Sequence, residues 1–137
     1  MRIIKFLLAA ILLVGASGAN AVEYKPYPSA AISVRQWQDY FNQVKAAFGS
    51  SMQELSEHQF VLFKDEATAT TYAFTKPGHP AHPAWITRRI EHEGSQFYVA
   101  QIGYFAGQEA PFARLFEQYQ ETNRRMIEAM KQKVGSR

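Results

Sequence analysis

Residues 84–105 read AWITRRIEHEGSQFYVAQIGYF and contain two segments rich in β-branched and aromatic residues around a short polar stretch. We predict strands over Ala84–Glu91 and Gln96–Phe105, because such runs, bounded by turn residues, are typical of β-structure. The turn falls within His92–Ser95, where Gly94 can adopt the backbone angles of a tight connection. The two strands therefore form an antiparallel hairpin.

The length of the hairpin loop decides which side chains share a face of the sheet. A two-residue loop at Glu93-Gly94 separates the side chains into Ile86, Ile90, Phe97 and Val99 on one face and Trp85, Thr87, Arg89, Tyr98 and Ile102 on the other. A three-residue loop instead gives Ile86, Ile90, Tyr98 and Ile102 opposite Trp85, Arg89, Phe97, Val99 and Phe105. In both registers, the face that carries Trp85 and Arg89 also carries large apolar groups.

Amphipathic helices flank this hairpin at both ends of the chain. Apolar residues recur at helical spacing over Ser33–Phe48, with Ser33 placed to cap the helix and Gly49 placed to end it. A second, longer pattern runs from about Ala110 to Val134, and Pro111 suits its first turn. Gly135 ends this helix.

The segment between the first helix and the hairpin predicts further strands. Thr68–Thr75 alternates and favours a strand, whereas the apolar run Gln59–Phe63 fits a strand or the tail of a helix, and polar Ser50–His58 fits a short helical turn. Lys76–Pro83, KPGHPAHP, contains three prolines and a glycine, which exclude a helix and indicate a rigid connection.

The order of these elements predicts an α+β domain with an N-terminal helix, an antiparallel meander of three or four strands and a long C-terminal helix. We expect two layers, with both helices on one face of the sheet. The single domain covers residues 32–135, and Val22–Ala31 is an extended lead-in to it.

The first 21 residues predict a secretory signal peptide. Arg2 and Lys5 precede the apolar run Phe6–Val14, and Ala19-Asn20-Ala21 forms an A-x-A cleavage pattern that ends at Ala21. The apolar run is about half as long as the ~20 residues that span a bilayer, and a retained anchor is the alternative. We therefore expect a periplasmic or secreted protein without a transmembrane segment in its mature chain.

Charge and cysteine content narrow the class of function. Removal of Arg2 and Lys5 lowers the formal net charge from +3 to +1, so the mature chain lacks the basic surface that nucleic-acid binding requires. The chain has no cysteine, which excludes disulfides, thiol chemistry and cysteine-ligated zinc. An exported domain of this kind depends on packing for its stability.

The hairpin offers the candidate binding surface. If both helices cover one face, the other face exposes Trp85 and Arg89 together with Tyr98 or Phe105, depending on the register. Exposed aromatic residues beside an arginine are typical of protein interfaces. The alternative is that Trp85 lies in the core or under the lead-in. We expect a small exported protein that binds an envelope or secreted protein, or a second copy of itself, and does not act by catalysis.

The histidines offer a second hypothesis. In polyproline geometry, His79 and His82 project from the same side of the connection and could bind Zn or Cu if His92, His58, Glu91 or Glu93 supplied a third ligand. We assign no cofactor otherwise. A small envelope hydrolase is the third possibility, although the sequence contains none of the nucleophile or metalloprotease motifs that would support it.

Overall fold

The computed structural model describes Tyr27 and residues 30–135 of the chain. The predicted signal peptide and its cleavage site at Ala21 lie outside the described residues, as does most of the lead-in. The described chain contains two α-helices and five strands, with 3₁₀ turns at Gly49–Ser51 and Glu66–Thr68. The helices are α1 (Val34–Phe48) and α2 (Glu109–Gly135), and the strands are β1 (Gln53–Leu55), β2 (Phe60–Asp65), β3 (Thr70–Thr75), β4 (Ala84–Glu93) and β5 (Gln96–Phe105).

The strands form one antiparallel sheet in the order β1-β2-β3-β4-β5. The predicted α+β class, the meander and the two flanking helices are confirmed, with five strands rather than three or four. The additional strand is β1, which lies in the polar segment for which we predicted only a helical turn. It is three residues long and gains its order by pairing with β2.

The loop of the β4–β5 hairpin contains two residues, Gly94 and Ser95, since Glu93 pairs with Gln96. Gly94 has φ of +65°, a left-handed conformation that glycine adopts without strain. The side chains therefore divide between the faces as the two-residue prediction grouped them, and the three-residue register does not occur. Trp85 lies opposite Tyr104 on one face, which we call the α1 face, and Ile86 lies opposite Gly103 on the other, which we call the α2 face.

Helix α1 covers the inner part of the α1 face. The Ser33 hydroxyl accepts a hydrogen bond from the Gln36 backbone at 3.0 Å, and the Gln36 side chain accepts one from the Ser33 backbone, which completes a capping box. Trp37 donates to the carbonyl oxygen of Ala84 at 2.9 Å and so joins the helix to β4. The core on this face consists mainly of Trp37, Val44, Val61, Phe63, Tyr72, Phe74, Trp85 and Tyr104.

Helix α2 packs on the opposite face of the sheet. Its core there comprises Ala81, Ala84, Ile86, Phe105, Phe112, Leu115 and Phe116. The helix lies directly on β5 at Gly103, where an added Cβ would come within 2.5 Å of the Phe112 ring. The domain thus has three layers, helix–sheet–helix, which differs from the two-layer arrangement that we expected.

Candidate functional site

The outer half of the β4–β5 hairpin is the part of the α1 face that helix α1 leaves uncovered. Strand β3 pairs with β4 only as far as Thr70 and Arg89, so the hairpin continues beyond the sheet as a two-stranded ribbon. A shallow depression of about 240 Å³ lies on its α1 face. We call this surface the hairpin face and define it by Thr87, Arg89, Glu91, Tyr98, Ala100 and Ile102.

Two polar contacts hold the charged groups of the hairpin face in place. The Arg89 Nε donates to the Thr70 hydroxyl at 3.1 Å. The Tyr98 hydroxyl donates to Glu91 Oε2 at 2.6 Å, across a directly opposed pair of the two strands. This hydrogen bond is the main reason why the pKa of Tyr98 is raised. The Tyr98 side chain remains 43% exposed, so its ring is available to a partner.

The structure does not bring the four predicted surface residues together. Trp85 is fully buried under α1, where its ring lies 4.7 Å from that of Tyr40 and 4.8 Å from that of Phe74. Phe105 is buried on the opposite face, stacked on Phe112 at 5.0 Å. Arg89 and Tyr98 remain on one face. The candidate surface therefore keeps these two residues and loses Trp85 and Phe105 to the core.

The outer edge of β5 is a second feature of the hairpin, and it was not predicted from the sequence. Phe105 donates its backbone N–H to Ala30 and accepts from Ile32, so its backbone groups point away from β4. Because backbone direction alternates along a strand, Phe97, Val99, Gln101 and Gly103 also direct their N–H and C=O groups outward. Within the described part of the chain, no segment pairs with these four residues.

A polar cluster fixes α2 over the middle of the hairpin. Gln101 donates to the Phe116 carbonyl oxygen at 2.9 Å and accepts from the Asn123 side chain at 2.6 Å. Arg88 donates to Asn123 Oδ1 at 3.1 Å and places its guanidinium 4.5 Å from the centre of the Tyr119 ring. Burial lowers the pKa of Arg88 and raises that of Tyr119. The cluster sets which turns of α2 lie level with which residues of β5.

The histidines of the proline-rich connection are engaged within the fold. His79 Nδ1 accepts a hydrogen bond from the Ala81 backbone at 3.0 Å. His82 Nδ1 lies 2.8 Å from the Thr75 hydroxyl, and its ring packs edge-on against Trp37 at 5.1 Å. Burial lowers the pKa of both imidazoles, and the neighbouring His82 contributes further to the effect at His79.

The third predicted metal ligand lies elsewhere. His92 is at the far end of β4, where its ring lies tilted against that of Phe97 at 5.0 Å, about 26 Å along the strand from Ala84. Among the described residues, no group of three or more His, Cys, Asp or Glu side chains is placed to hold a metal ion. The pair His79 and His82 therefore gains no third ligand from the described chain.

Comparison of the chain with protein-family models, curated proteins and solved structures found no match. Neither helix of the described region combines the length and the apolar character that a membrane crossing needs.

Proposed function

We propose that this chain is a small exported protein of the periplasm that acts by binding another polypeptide through its β4–β5 hairpin, and not by catalysis. The observation that carries the proposal is the hairpin face, which neither helix covers and which presents an exposed Tyr98 beside Arg89 and the apolar Ala100 and Ile102. Tyrosine and arginine with apolar neighbours are the residues that contribute most to protein interfaces.

The shape of the surface also favours a polypeptide over a small molecule. Small-molecule sites are concave and enclose most of their ligand, with volumes of about 300–1,000 Å³. The depression on the hairpin face is smaller, at about 240 Å³. The two strands around it are not covered by a helix, so a partner could contact them over a broad area. Thr70 already holds the Arg89 side chain, and Glu91 already holds that of Tyr98. Binding would therefore immobilise few additional side chains.

Site-specific photo-crosslinking in living cells tests this proposal. A photoreactive amino acid replaces Tyr98 in the full-length gene, and the matched control replaces Val34, which is 60% exposed on α1. We expect one discrete adduct from position 98 and none of that mass from position 34. Mass spectrometry then distinguishes an envelope protein from a second copy of the chain.

A paired substitution tests whether the hairpin face forms the contact. Arg89→Ala should reduce the yield of the position-98 adduct several-fold, whereas Arg35→Ala, which removes an exposed arginine of α1, should leave it unchanged. Thermal unfolding of each purified variant verifies that the fold is retained. Absence of any adduct, or equal adducts from positions 98 and 34, would contradict the proposal.

A further inference from the structure

The two edges of the sheet differ in how well they are protected against pairing with another strand. Natural sheets protect their edges with short strands, charges, prolines and bulges. Edge strand β1 has only three residues and carries Glu54, which accepts from Lys76 at 2.9 Å. Edge strand β5 has ten residues, no bulge in its pairing with β4, and no charged residue or proline. It therefore offers a long edge for a further strand.

Helix α2 carries a line of side chains on the side of this edge. Glu109 accepts from Tyr27 at 3.4 Å near the β5 bridge to Ala31, and Arg124, Ile127 and Lys131 line a depression with Phe97 and Val99. Tyr119 points the opposite way, toward Phe60. Helical spacing of three or four residues adds Ala113, Glu117 and Gln120 to this side of α2. The α2 edge stripe is therefore Glu109, Ala113, Glu117, Gln120, Arg124, Ile127 and Lys131.

The charges of the α2 edge stripe are segregated along the helix. Its N-terminal half carries Glu109 and Glu117, and its C-terminal half carries Arg124 and Lys131 together with Glu128, which leaves that half with a net positive charge. Such a stripe complements an identical stripe that runs in the opposite direction. A twofold axis perpendicular to the sheet produces this arrangement, since it pairs β5 with β5 antiparallel and places both α2 helices on the same face.

The polar cluster of the hairpin aligns the stripe with the strand. Gln101 bonds to both Phe116 and Asn123, so the middle of β5 lies level with Gln120. When the twofold axis passes through Ala100 of β5, it therefore also passes close to Gln120. Glu117 then lies opposite Arg124 of the second copy, and Glu109 lies opposite Lys131 of the second copy. Both charge pairs occur twice.

We propose that the first partner of this chain is a second copy of itself, joined along the outer edge of β5 into a ten-stranded sheet. The proposal deepens the proposed function, on which it rests, by naming a partner. Phe97, Val99, Gln101 and Gly103 supply the backbone hydrogen bonds. Tyr98 then lies opposite Ile102 of the second copy, so the two hairpin faces join into one surface.

A charge exchange across the twofold axis tests this arrangement. Glu117→Arg alone places two arginines opposite each other, and Arg124→Glu alone places two glutamates opposite each other. Each variant by itself should dimerise about tenfold more weakly than the original chain, because two exposed charge pairs per dimer change from attraction to repulsion. An equimolar mixture of the two variants also forms heterodimers, in which one copy carries arginine and the other carries glutamate at both positions.

 In the proposed register, both arginines of the first variant face glutamates of the second, so opposite charges are restored and the mixture should dimerise with the original affinity.

Sedimentation equilibrium over a concentration series measures these affinities for protein expressed from the full-length gene, and thermal unfolding verifies the fold of each variant. The proposal is overturned if the original chain stays monomeric throughout, if the single variants dimerise undiminished, or if the mixture does not recover. The position-98 crosslink to an envelope protein is measured separately. Its persistence in a monomeric chain would retain the proposed function and reject only the dimer.

Discussion

At the scale of single residues, His82 connects three parts of the fold. Its imidazole contacts Trp37 of α1, bonds to Thr75 at the end of β3, and precedes the first residue of β4 by two positions. Burial lowers its pKa, an effect that the backbone bond to Thr75 partly opposes. The folded protein therefore favours the neutral imidazole, whereas the unfolded chain binds a proton more readily.

We predict that acid weakens the fold through this residue. The stabilising effect of neutral His82 is complete above the unfolded pKa of about 6.5 and declines as the pH falls from there toward the lower folded pKa. His82→Asn keeps a polar atom near the position of Nδ1 without titrating, so the melting temperature should fall less steeply between pH ~7.5 and ~5.5. His92→Asn, at the exposed hairpin end, is the control and should retain the original slope. Equal slopes for both variants would contradict the prediction.

Trp85 shows that the sequence predicts which residues share a face of the sheet but not which face a helix covers. Strand alternation correctly grouped Trp85 with Arg89 and separated both from Ile86. Alternation does not say which helix covers which face, because Trp85 and Ile86 are both large and apolar. Trp85 and Ile86 are both almost completely buried, because a helix packs on each face of β4. The uncovered part begins only beyond helix α1, and the path of α1 depends on tertiary packing.

At the scale of elements, the strands of the sheet differ in how well the sequence predicts them. The glycine turn and the runs of β-branched residues define β4 and β5 locally, the Ser33 capping box defines the start of α1, and the spacing of apolar residues defines both helices. Strand β1 has no such local signal, since its residues Gln53–Leu55 are mostly polar and exposed. The outer edge of β5 could have been recognised from its lack of charged residues, given that it is the last strand of a meander.

Proline substitution distinguishes the two edges of β5. The Val99 N–H points outward, so Val99→Pro keeps the ladder to β4 and should lower the free energy of unfolding by less than about 1 kcal/mol. The Ala100 N–H points toward Arg89, so Ala100→Pro leaves a carbonyl without its donor and should cost about 1–3 kcal/mol. Urea unfolding of dilute protein measures both values. A larger loss from Val99→Pro than from Ala100→Pro would show that the assigned backbone directions are incorrect.

At the scale of the whole molecule, stability without cysteine depends on two aromatic-rich cores that share one sheet. The α1 face brings Trp37, Phe41 and Phe74 together at ring separations of 5.1–5.9 Å, and the α2 face stacks Phe105 on Phe112. Such ring pairs contribute about 0.5–1.5 kcal/mol each beyond the area that they bury. A chain stabilised in this way needs no oxidant to fold, which is compatible with export before folding.

The N-terminal sequence predicts that the whole molecule is exported to the periplasm. We expect cleavage after Ala21, so that the protein recovered from the periplasm begins at Val22, because small residues at Ala19 and Ala21 match the peptidase pattern. Ala21→Arg should block cleavage and leave a membrane-associated precursor, whereas Asn20→Arg changes the position between the two small residues and should still be cut. Intact-mass and N-terminal analysis of each fraction decides between these outcomes. A full-length protein beginning at Met1 in the cytoplasm would reject both the leader and the envelope partner, whereas the β5 edge and its self-pairing would remain open to test in the purified chain.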